Sequence, residues 1–124
     1  MYKVLVVDDE TKIADVLQEF LVKSGFNAIQ ALGGEAAIDM LRSGAKFDCM
    51  VVDMKMPRVT GLDVIKEKAR LGIDIPLIIF TGSSDAEKYL PELARFGNTE
   101  EDILYKPVDL FALLTIVKKK VYVA

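Results

Sequence analysis

The sequence has no histidine, no tryptophan and a single cysteine, Cys49, among its 124 residues. Without histidine the chain cannot form a Ser–His–Asp triad or most zinc sites, and it cannot itself carry a phosphohistidine. One cysteine excludes an internal disulfide, and packing in an apolar core is the simplest role for Cys49.

Long apolar runs and a basic excess are also missing. No run approaches the ~20 residues of a membrane-spanning helix, and the apolar run in MYKVLVVDDE is too short for a signal peptide. The net charge is −3, which does not favour nucleic acid binding. The one basic run, 118–120, is typical of a solvated helix end. The composition, 52% apolar, predicts one cytoplasmic domain over residues 1–124.

Apolar segments that resemble strands alternate with amphipathic segments that resemble helices. Strands are expected at about 3–7, 27–30, 48–53, 76–81 and 102–105. Helices are expected at about 11–24, 34–43, 62–70, within 84–96, and at 109–121. Gly25 and Gly44 are expected to end the first two helices. Five β–α units in sequence predict an α/β fold, a doubly wound five-stranded parallel sheet with helices on both faces.

Polar side chains stand at the ends of four of these five strands. They are Asp8 and Asp9 after the first strand, Asp53 after the third, Thr81 after the fourth and Lys106 after the fifth. Taken singly, each also fits a simpler role as a helix cap, the start of a turn or an exposed lysine. Ligands of an open parallel sheet bind beyond the carboxyl ends of its strands. The shared edge therefore predicts a functional site.

The residue types of this set indicate phosphoryl chemistry. Clustered carboxylates suit Mg²⁺, a hard cation that takes oxygen ligands and commonly accompanies phosphoryl groups. An ammonium and a hydroxyl, here Lys106 and Thr81, can stabilise the oxygens of a transferring phosphoryl group. A carboxylate can accept that group as an aspartyl phosphate. Asp53 is the best candidate acceptor because it ends the central strand.

Four segments in a fixed order carry a family resemblance. They are VVDDE at 6–10, VVDMKMP at 51–57 with Gly61 four residues on, IIFTG at 78–82 and YKPVDL at 105–110. With them, essentially the whole chain resembles the receiver domains of bacterial two-component response regulators. The resemblance implies a flavodoxin-like (βα)5 sheet with strand order 2-1-3-4-5. It also implies a signalling switch that is not a metabolic enzyme but catalyses its own phosphorylation and dephosphorylation.

The resemblance further implies partners and a metal site. The phosphoryl donor would be a phosphohistidine on a sensor histidine kinase or a histidine phosphotransfer protein of a phosphorelay. Asp53 would be the phosphoacceptor. Asp9 and Asp53 would bind Mg²⁺ directly, together with the main-chain carbonyl of Lys55, and Asp8 would bind it through water. The signal would pass to an output protein or output domain, and a phosphorylation-linked homodimer is consistent with this arrangement.

The implied switch involves the fourth and fifth strand ends. Thr81 would be the switch hydroxyl and Lys106 the lysine that contacts the phosphoryl group, next to a cis Lys106–Pro107 peptide bond. The family usually places an aromatic residue three positions before this lysine, where the sequence has Ile103. Tyr105 lies two residues on, on the same strand face, and is the alternative switch aromatic.

Two further departures concern the half of the domain that would transmit the signal. The spacing of 25 residues from Thr81 to Lys106 is longer than the resemblance implies, and the extra length is expected around FGNTEED. Pro91 falls inside the expected fourth helix. Because an internal proline costs a helix ~3 kcal/mol, that helix is expected to be short, starting near Pro91, or kinked there. In the family that the chain resembles, the position two residues after the phosphoacceptor borders the path of the hydrolytic water, and Lys55 would add positive charge there.

Three other functions remain open on the sequence alone. A degenerate receiver would bind partners without being phosphorylated, although its acidic set, hydroxyl and lysine are all intact here. A small Mg²⁺-dependent phosphatase with an aspartate nucleophile would normally have a second aspartate where this chain has Lys55. A flavodoxin-like electron carrier would need a phosphate-binding loop after the first strand, where this chain has acids.

Overall fold

A computed structural model describes residues 1–82 and 86–122. The strands are β1 (Lys3–Asp8), β2 (Asn27–Leu32), β3 (Cys49–Asp53), β4 (Leu77–Thr81) and β5 (Ile103–Tyr105). The helices are α1 (Thr11–Lys23), α2 (Gly34–Arg42), α3 (Gly61–Arg70), α4 (Ala86–Arg95) and α5 (Leu110–Tyr122). All strand pairs are parallel, in the order β2-β1-β3-β4-β5. The predicted doubly wound, flavodoxin-like fold is confirmed.

The sheet has an apolar layer on each face, because successive side chains of a strand point to opposite sides. Val52 and Ile79 belong to the layer that packs against α2, α3 and α4. Val51 and Ile78 belong to the layer under α1 and α5. Every residue of β3 and β4 is buried, as expected for central strands. Among the described residues, no helix is long and apolar enough to cross a bilayer.

The helix ends follow local sequence signals. Gly25 and Gly44 have φ angles of 96° and 84° and end α1 and α2 as predicted, since glycine adopts this conformation without a Cβ clash. Helix α3 begins with a capping box in which the Thr60 hydroxyl accepts the N–H of Asp63, and the Asp63 carboxylate accepts the N–H of Thr60. Helix α1 begins after Glu10 without a side-chain cap, so helix capping does not explain the acids at the end of β1.

Helix α4 departs from the sequence expectation. It begins at Ala86 and continues through Pro91 to Arg95, so the expected start near Pro91 is wrong. Proline removes one backbone donor from the helix, but Leu93 is buried in the core below it and stabilises the helix by packing. A kink at Pro91 stays a prediction. Ser84, where the helical segment was expected to open, lies outside the described residues.

The FGNTEED segment, residues 96–102, contains a short 3₁₀ turn at Glu100–Asp102 that the sequence analysis did not predict. Asp102 was expected to open β5 but instead closes this turn, where its Oδ2 accepts the N–H of Thr99 at 3.0 Å. The other oxygen of this buried carboxylate pairs with the ammonium of Lys120 in α5. The expectation of a fully solvated basic run is therefore wrong for Lys120, which ties α5 to the start of β5.

Lys120→Met is expected to lower the free energy of unfolding by on the order of 1–3 kcal/mol, because the buried Asp102 carboxylate would lose its cation. The Lys120 side chain is 28% exposed, so water offsets part of the cost. Lys119→Met, at an exposed position of the same helix turn, is the matched control and should change it by less than about 0.5 kcal/mol. Urea unfolding followed by circular dichroism measures both. Equal losses in the two variants would contradict a structural role for the Asp102–Lys120 pair.

Candidate functional site

The candidate site lies at the edge of the sheet where the parallel strands end. Asp53 is the last residue of β3 and pairs with Phe80 of β4. Thr81, the last residue of β4, pairs with Tyr105 of β5. The N–H of Lys106 then donates to the carbonyl of Thr81 at 3.0 Å. The strand register thus places the phosphoacceptor candidate, the hydroxyl and the lysine on neighbouring strand ends, as the sequence predicted.

Three carboxylates converge at this edge. One oxygen each of Asp8, Asp9 and Asp53 lies within 4.8 Å of the other two. Asp8 and Asp53 are buried, whereas Asp9 is exposed. Asp8 Oδ1 accepts the N–H of Glu10 at 2.9 Å, but the buried Asp8 Oδ2 has no hydrogen-bond partner within the described part of the chain. A buried oxygen without a donor is costly, and this all-oxygen donor set fits a hard dication such as Mg²⁺.

Burial and the neighbouring charges of the cluster shift the pKa of Asp8. Burial raises this pKa from 3.8 to about 6. The N–H of Glu10 opposes the rise, the negative charges of Asp53 and Asp9 add to it, and the positive charge of Lys106 lowers it. At neutral pH the fold therefore holds an ionised Asp8 at a cost, which a bound cation would offset.

Asp8→Asn is expected to raise the Tm of the metal-free protein at pH 7.5 and to change it little at pH 4. The folded pKa of about 6 lies above the unfolded value of 3.8, so the folded state binds more protons between these values. The free energy of unfolding therefore falls as pH rises through this window, by at most on the order of 3 kcal/mol. Thermal melts in EDTA from pH 4 to 7.5 measure the effect, with the exposed Asp39→Asn as control. A Tm gain that does not change with pH would contradict this account.

Lys106 supplies positive charge to the cluster. Its Nζ lies 2.9 Å from Asp53 Oδ1, with 33% of the lysine side chain and 2% of the aspartate side chain exposed. Partial burial lowers the pKa of Lys106, but the hydrogen bond and charge of Asp53 and the charge of Asp8 outweigh it, so this pKa is raised. Lys106 is therefore a cation at neutral pH. The Lys106–Pro107 peptide bond is cis, as the family resemblance implied.

Two backbone donors complete the cluster, and the sequence analysis missed both. The N–H of Lys55 donates to Asp53 Oδ1 at 3.2 Å, and the N–H of Glu10 donates to Asp8 Oδ1. In each case the carboxylate binds the N–H two residues on, a local turn that aspartate favours. Because almost every residue has a backbone N–H, the sequence does not show which N–H groups act as donors. Only the aspartates, which favour this turn, indicate where such hydrogen bonds form. The Lys55 side chain is exposed.

The candidate switch residues lie on β4 and β5. Thr81 is buried, and its hydroxyl donates to the carbonyl of Gly82 at 3.3 Å. Ile103 is 6% exposed and belongs to the same apolar cluster as Leu93 of α4. Tyr105 is 45% exposed at the end of β5. The aliphatic Ile103 thus occupies the buried position on β5, and the aromatic Tyr105 lies at the surface.

Comparison with protein families gives one match over most of the chain. The sequence model of a family described as the response regulator receiver domain matches residues 4–118. The response regulator SaeR of Staphylococcus aureus is 37% identical over 84 residues, which are 68% of this chain and 36% of that protein. The aligned region thus spans only about a third of this relative's length.

Solved structures match over nearly the whole chain. The receiver domain of the Francisella response regulator 1452 has a TM-score of 0.86 and 27% identity, covering 98% of both chains. The response regulator TrrA of Thermotoga maritima, in complex with Mg²⁺ and BeF, has a TM-score of 0.80 and 30% identity, covering 97% of this chain and 99% of that one. FixJ-N has a TM-score of 0.85 and 25% identity, covering 100% and 98%.

Proposed function

The chain belongs to the response regulator receiver family, and from that premise we propose that it is a cytoplasmic switch in which Asp53 accepts a phosphoryl group from a phosphohistidine. The observation that carries the proposal is the convergence of three carboxylates with the Lys106 ammonium, 2.9 Å from Asp53 Oδ1. A receiver domain implies a histidine kinase as phosphodonor and an output domain. We further propose that residues 1–124 form one such domain.

Asp53 is the proposed nucleophile. One of its carboxylate oxygens attacks the phosphorus, the P–N bond to the partner's imidazole breaks, and the imidazole nitrogen keeps the electron pair and takes up a proton. The N–H of Lys55 holds Asp53 Oδ1 by a hydrogen bond, which fixes the orientation of the carboxylate. The Lys106 ammonium stabilises the charge that spreads over the phosphoryl oxygens during transfer.

The acidic residues are proposed to hold Mg²⁺. Asp9, Asp53 and the main-chain carbonyl of Lys55 would bind it directly, and Asp8 through water. When bound, Mg²⁺ supplies positive charge that offsets carboxylate repulsion and stabilises phosphoryl oxygens. Two unit charges ~4 Å apart repel by ~4 kcal/mol at an effective dielectric near 20, so the metal-free cluster is unfavourable. The buried Asp8 Oδ2, which has no hydrogen-bond partner among the described residues, supports this assignment.

Phosphorylation is proposed to move the residues of the switch. The aspartyl phosphate adds a charge of about −1.5 to −2 and three acceptor oxygens. The Thr81 hydroxyl, whose hydrogen bond to Gly82 is long at 3.3 Å, turns toward these oxygens together with Lys106. This biases a pre-existing equilibrium of the surface formed by α4, β5 and α5, which signals to the output partner or a second copy. Hydrolysis of the aspartyl phosphate, with Lys55 beside the path of the water, resets the switch.

Tyr105 is the proposed aromatic partner of this movement, in place of Ile103. The Ile103 side chain is packed in the apolar core, so a large rotation there would open a cavity. Tyr105 of β5 is paired with Thr81 of β4 and is 45% exposed. Its side chain can therefore change rotamer without disrupting the core. Because Tyr105 lies on the same strand face as Ile103, a phosphorylation signal would then reach the surface on the side of the sheet that packs against α4.

A cleft beside the site suits the phosphodonor partner. It has a volume of about 460 Å³ and is lined by apolar side chains that include Ile13, Val16 and Val108, together with Lys12 and Lys106. An exposed apolar surface next to polar groups is typical of an interaction site. We propose that the donor docks here, because the cleft also includes Asp8 of the acidic cluster.

The test is intact mass spectrometry of the protein incubated with acetyl phosphate, with Mg²⁺ or with EDTA. The proposal predicts one phosphoryl increment that forms with Mg²⁺ and decays after the donor is removed. No increment with acetyl phosphate or with a phosphorylated histidine kinase would refute it and favour a binding module that works without phosphorylation. Steady multiple turnover of a generic phosphate ester would instead favour the phosphatase alternative.

A further inference from the structure

Gly34, the first residue of α2, lies against the loop that follows the phosphoacceptor. This loop, residues 54–60, connects β3 to α3. A Cβ atom added to Gly34 would lie 2.5 Å from the carbonyl oxygen of Val59 and 2.6 Å from its Cγ1. Distances under 3.0 Å are not tolerated by real Cβ atoms, so the bare backbone of Gly34 is what allows α2 to approach the loop this closely.

The backbone conformation does not explain glycine at this position. Gly33 and Gly44 have positive φ angles and open space where a Cβ would lie, whereas Gly34 has no positive φ. A glycine within a helix is less favourable than alanine. Contact with Val59, and not conformational freedom, is therefore the physical reason for glycine at residue 34.

The β3–α3 loop contains a residue in an uncommon backbone conformation. Arg58 adopts a φ of 64°, an uncommon conformation for a residue with a side chain. Such conformations persist where the surroundings fix them. The N–H of Val59 donates to the carbonyl of Pro57 at 2.8 Å, and Arg58 pairs with Glu35 of α2 at 3.3 Å. Gly34 and Glu35 of α2 thus contact the loop at its turn, at Val59 and Arg58.

The C-terminal end of the same loop also packs against the phosphoacceptor. Gly61 opens α3, and a Cβ there would lie 2.5 Å from the carbonyl oxygen of Asp53. The N–H of Gly61 donates to the carbonyl of Met54 at 3.1 Å. This hydrogen bond closes residues 54–61 into one loop that contains both Val59 and Lys55, and the N–H of Lys55 contacts Asp53 Oδ1. A displacement of the loop at Val59 would therefore move Lys55 relative to the carboxylate.

We propose that Gly34 is a positioning residue: its contact with Val59 holds the β3–α3 loop so that the backbone of Lys55 serves the metal and phosphoryl site at Asp53. This inference rests on the proposed function, because Lys55 is the proposed carbonyl ligand. It adds a residue of α2, an element that contributes no side chain to the acidic cluster, to the set that determines Mg²⁺ affinity.

The test is a Mg²⁺ titration by isothermal titration calorimetry on wild type and two variants. Gly34→Ala introduces the overlap with Val59 and should weaken Mg²⁺ binding about tenfold, the scale seen when groups that orient metal ligands are changed. Val59→Ala removes the contact from the other side without adding an atom and should weaken binding by a smaller factor. If Gly34→Ala does not fold, the Mg²⁺ affinity of Val59→Ala tests the positioning role by itself.

Gly44→Ala is the matched control. It lies just past the other end of α2 with a φ of 84° and nothing within 4 Å of an added Cβ, so it should lower the Tm and leave Mg²⁺ affinity unchanged. Folded Gly34→Ala with wild-type affinity, or Val59→Ala with wild-type affinity, would overturn the positioning role alone. Wild-type protein that binds no Mg²⁺ would instead refute the proposed function.

Discussion

Asp53→Asn is expected to show no phosphoryl increment after incubation with acetyl phosphate and Mg²⁺, under conditions that modify the wild-type protein. The substitution keeps the size of the side chain but replaces the carboxylate nucleophile with an amide, which does not form an acyl phosphate. Because Asp53 is buried and bonded to Lys106, circular dichroism must confirm that the variant is folded. Intact mass spectrometry then measures the fraction modified.

Asp39→Asn provides the control for this variant. Asp39 is an exposed acid of α2, so its substitution removes the same charge at a distance from the cluster and should leave the increment at the wild-type level. An increment of equal size in folded Asp53→Asn would show that another residue accepts the phosphoryl group. The assignment of Asp53 would then be wrong even though the chain is a receiver.

Lys106→Met is expected to slow the formation of the aspartyl phosphate on the order of 10²-fold. Methionine keeps much of the apolar stem but removes the ammonium, which lies 2.9 Å from Asp53 Oδ1. The charge that develops on the phosphoryl oxygens would then lack this fixed cation. Quenched time courses of the mass increment give the rate. Lys46→Met, at an exposed lysine that precedes β3 and lies outside the docking cleft, is the control and should stay within about threefold of wild type.

Lys106→Met is also expected to change the pH dependence of stability, an effect that does not depend on phosphorylation. Lys106 lowers the pKa of Asp8, which burial raises to about 6. Without the ammonium this pKa should rise further, so the loss of stability with increasing pH should extend above pH 6 in metal-free protein. A Lys106→Met variant with a wild-type phosphorylation rate and an unchanged pH profile of Tm would contradict both roles.

The sequence predicts the fold well because periodicity and strand ends are local signals. A continuous apolar run marks β3 as a central strand, and glycines such as Gly25 mark helix ends. In a parallel sheet with this strand order, Asp53 at the end of β3 lies between Asp8 of β1 and Thr81 of β4. The candidate site residues were therefore predicted from their positions at strand ends, together with the strand order that the family resemblance implies.

The features that sequence analysis missed depend on contacts between distant segments. Pro91 argues locally against a helix, but burial of Leu93 stabilises α4 around it. Lys120 belongs to a basic run that looks solvated, yet its partner Asp102 precedes it by many residues and is buried. Gly34 was expected as the first residue of a helix, but nothing in the sequence indicates that Val59 packs against it. None of these pairings has a periodicity that a sequence could reveal.

The most direct test of the central claim is to locate the phosphoryl group in the wild-type protein. Borohydride reduction of an aspartyl phosphate converts that residue to homoserine, which tandem mass spectrometry assigns to a position in the chain. After incubation with acetyl phosphate and Mg²⁺, the account predicts homoserine at residue 53 and at no other acid. Homoserine at Asp8 or Asp9, or no homoserine in protein that has bound Mg²⁺, would contradict it.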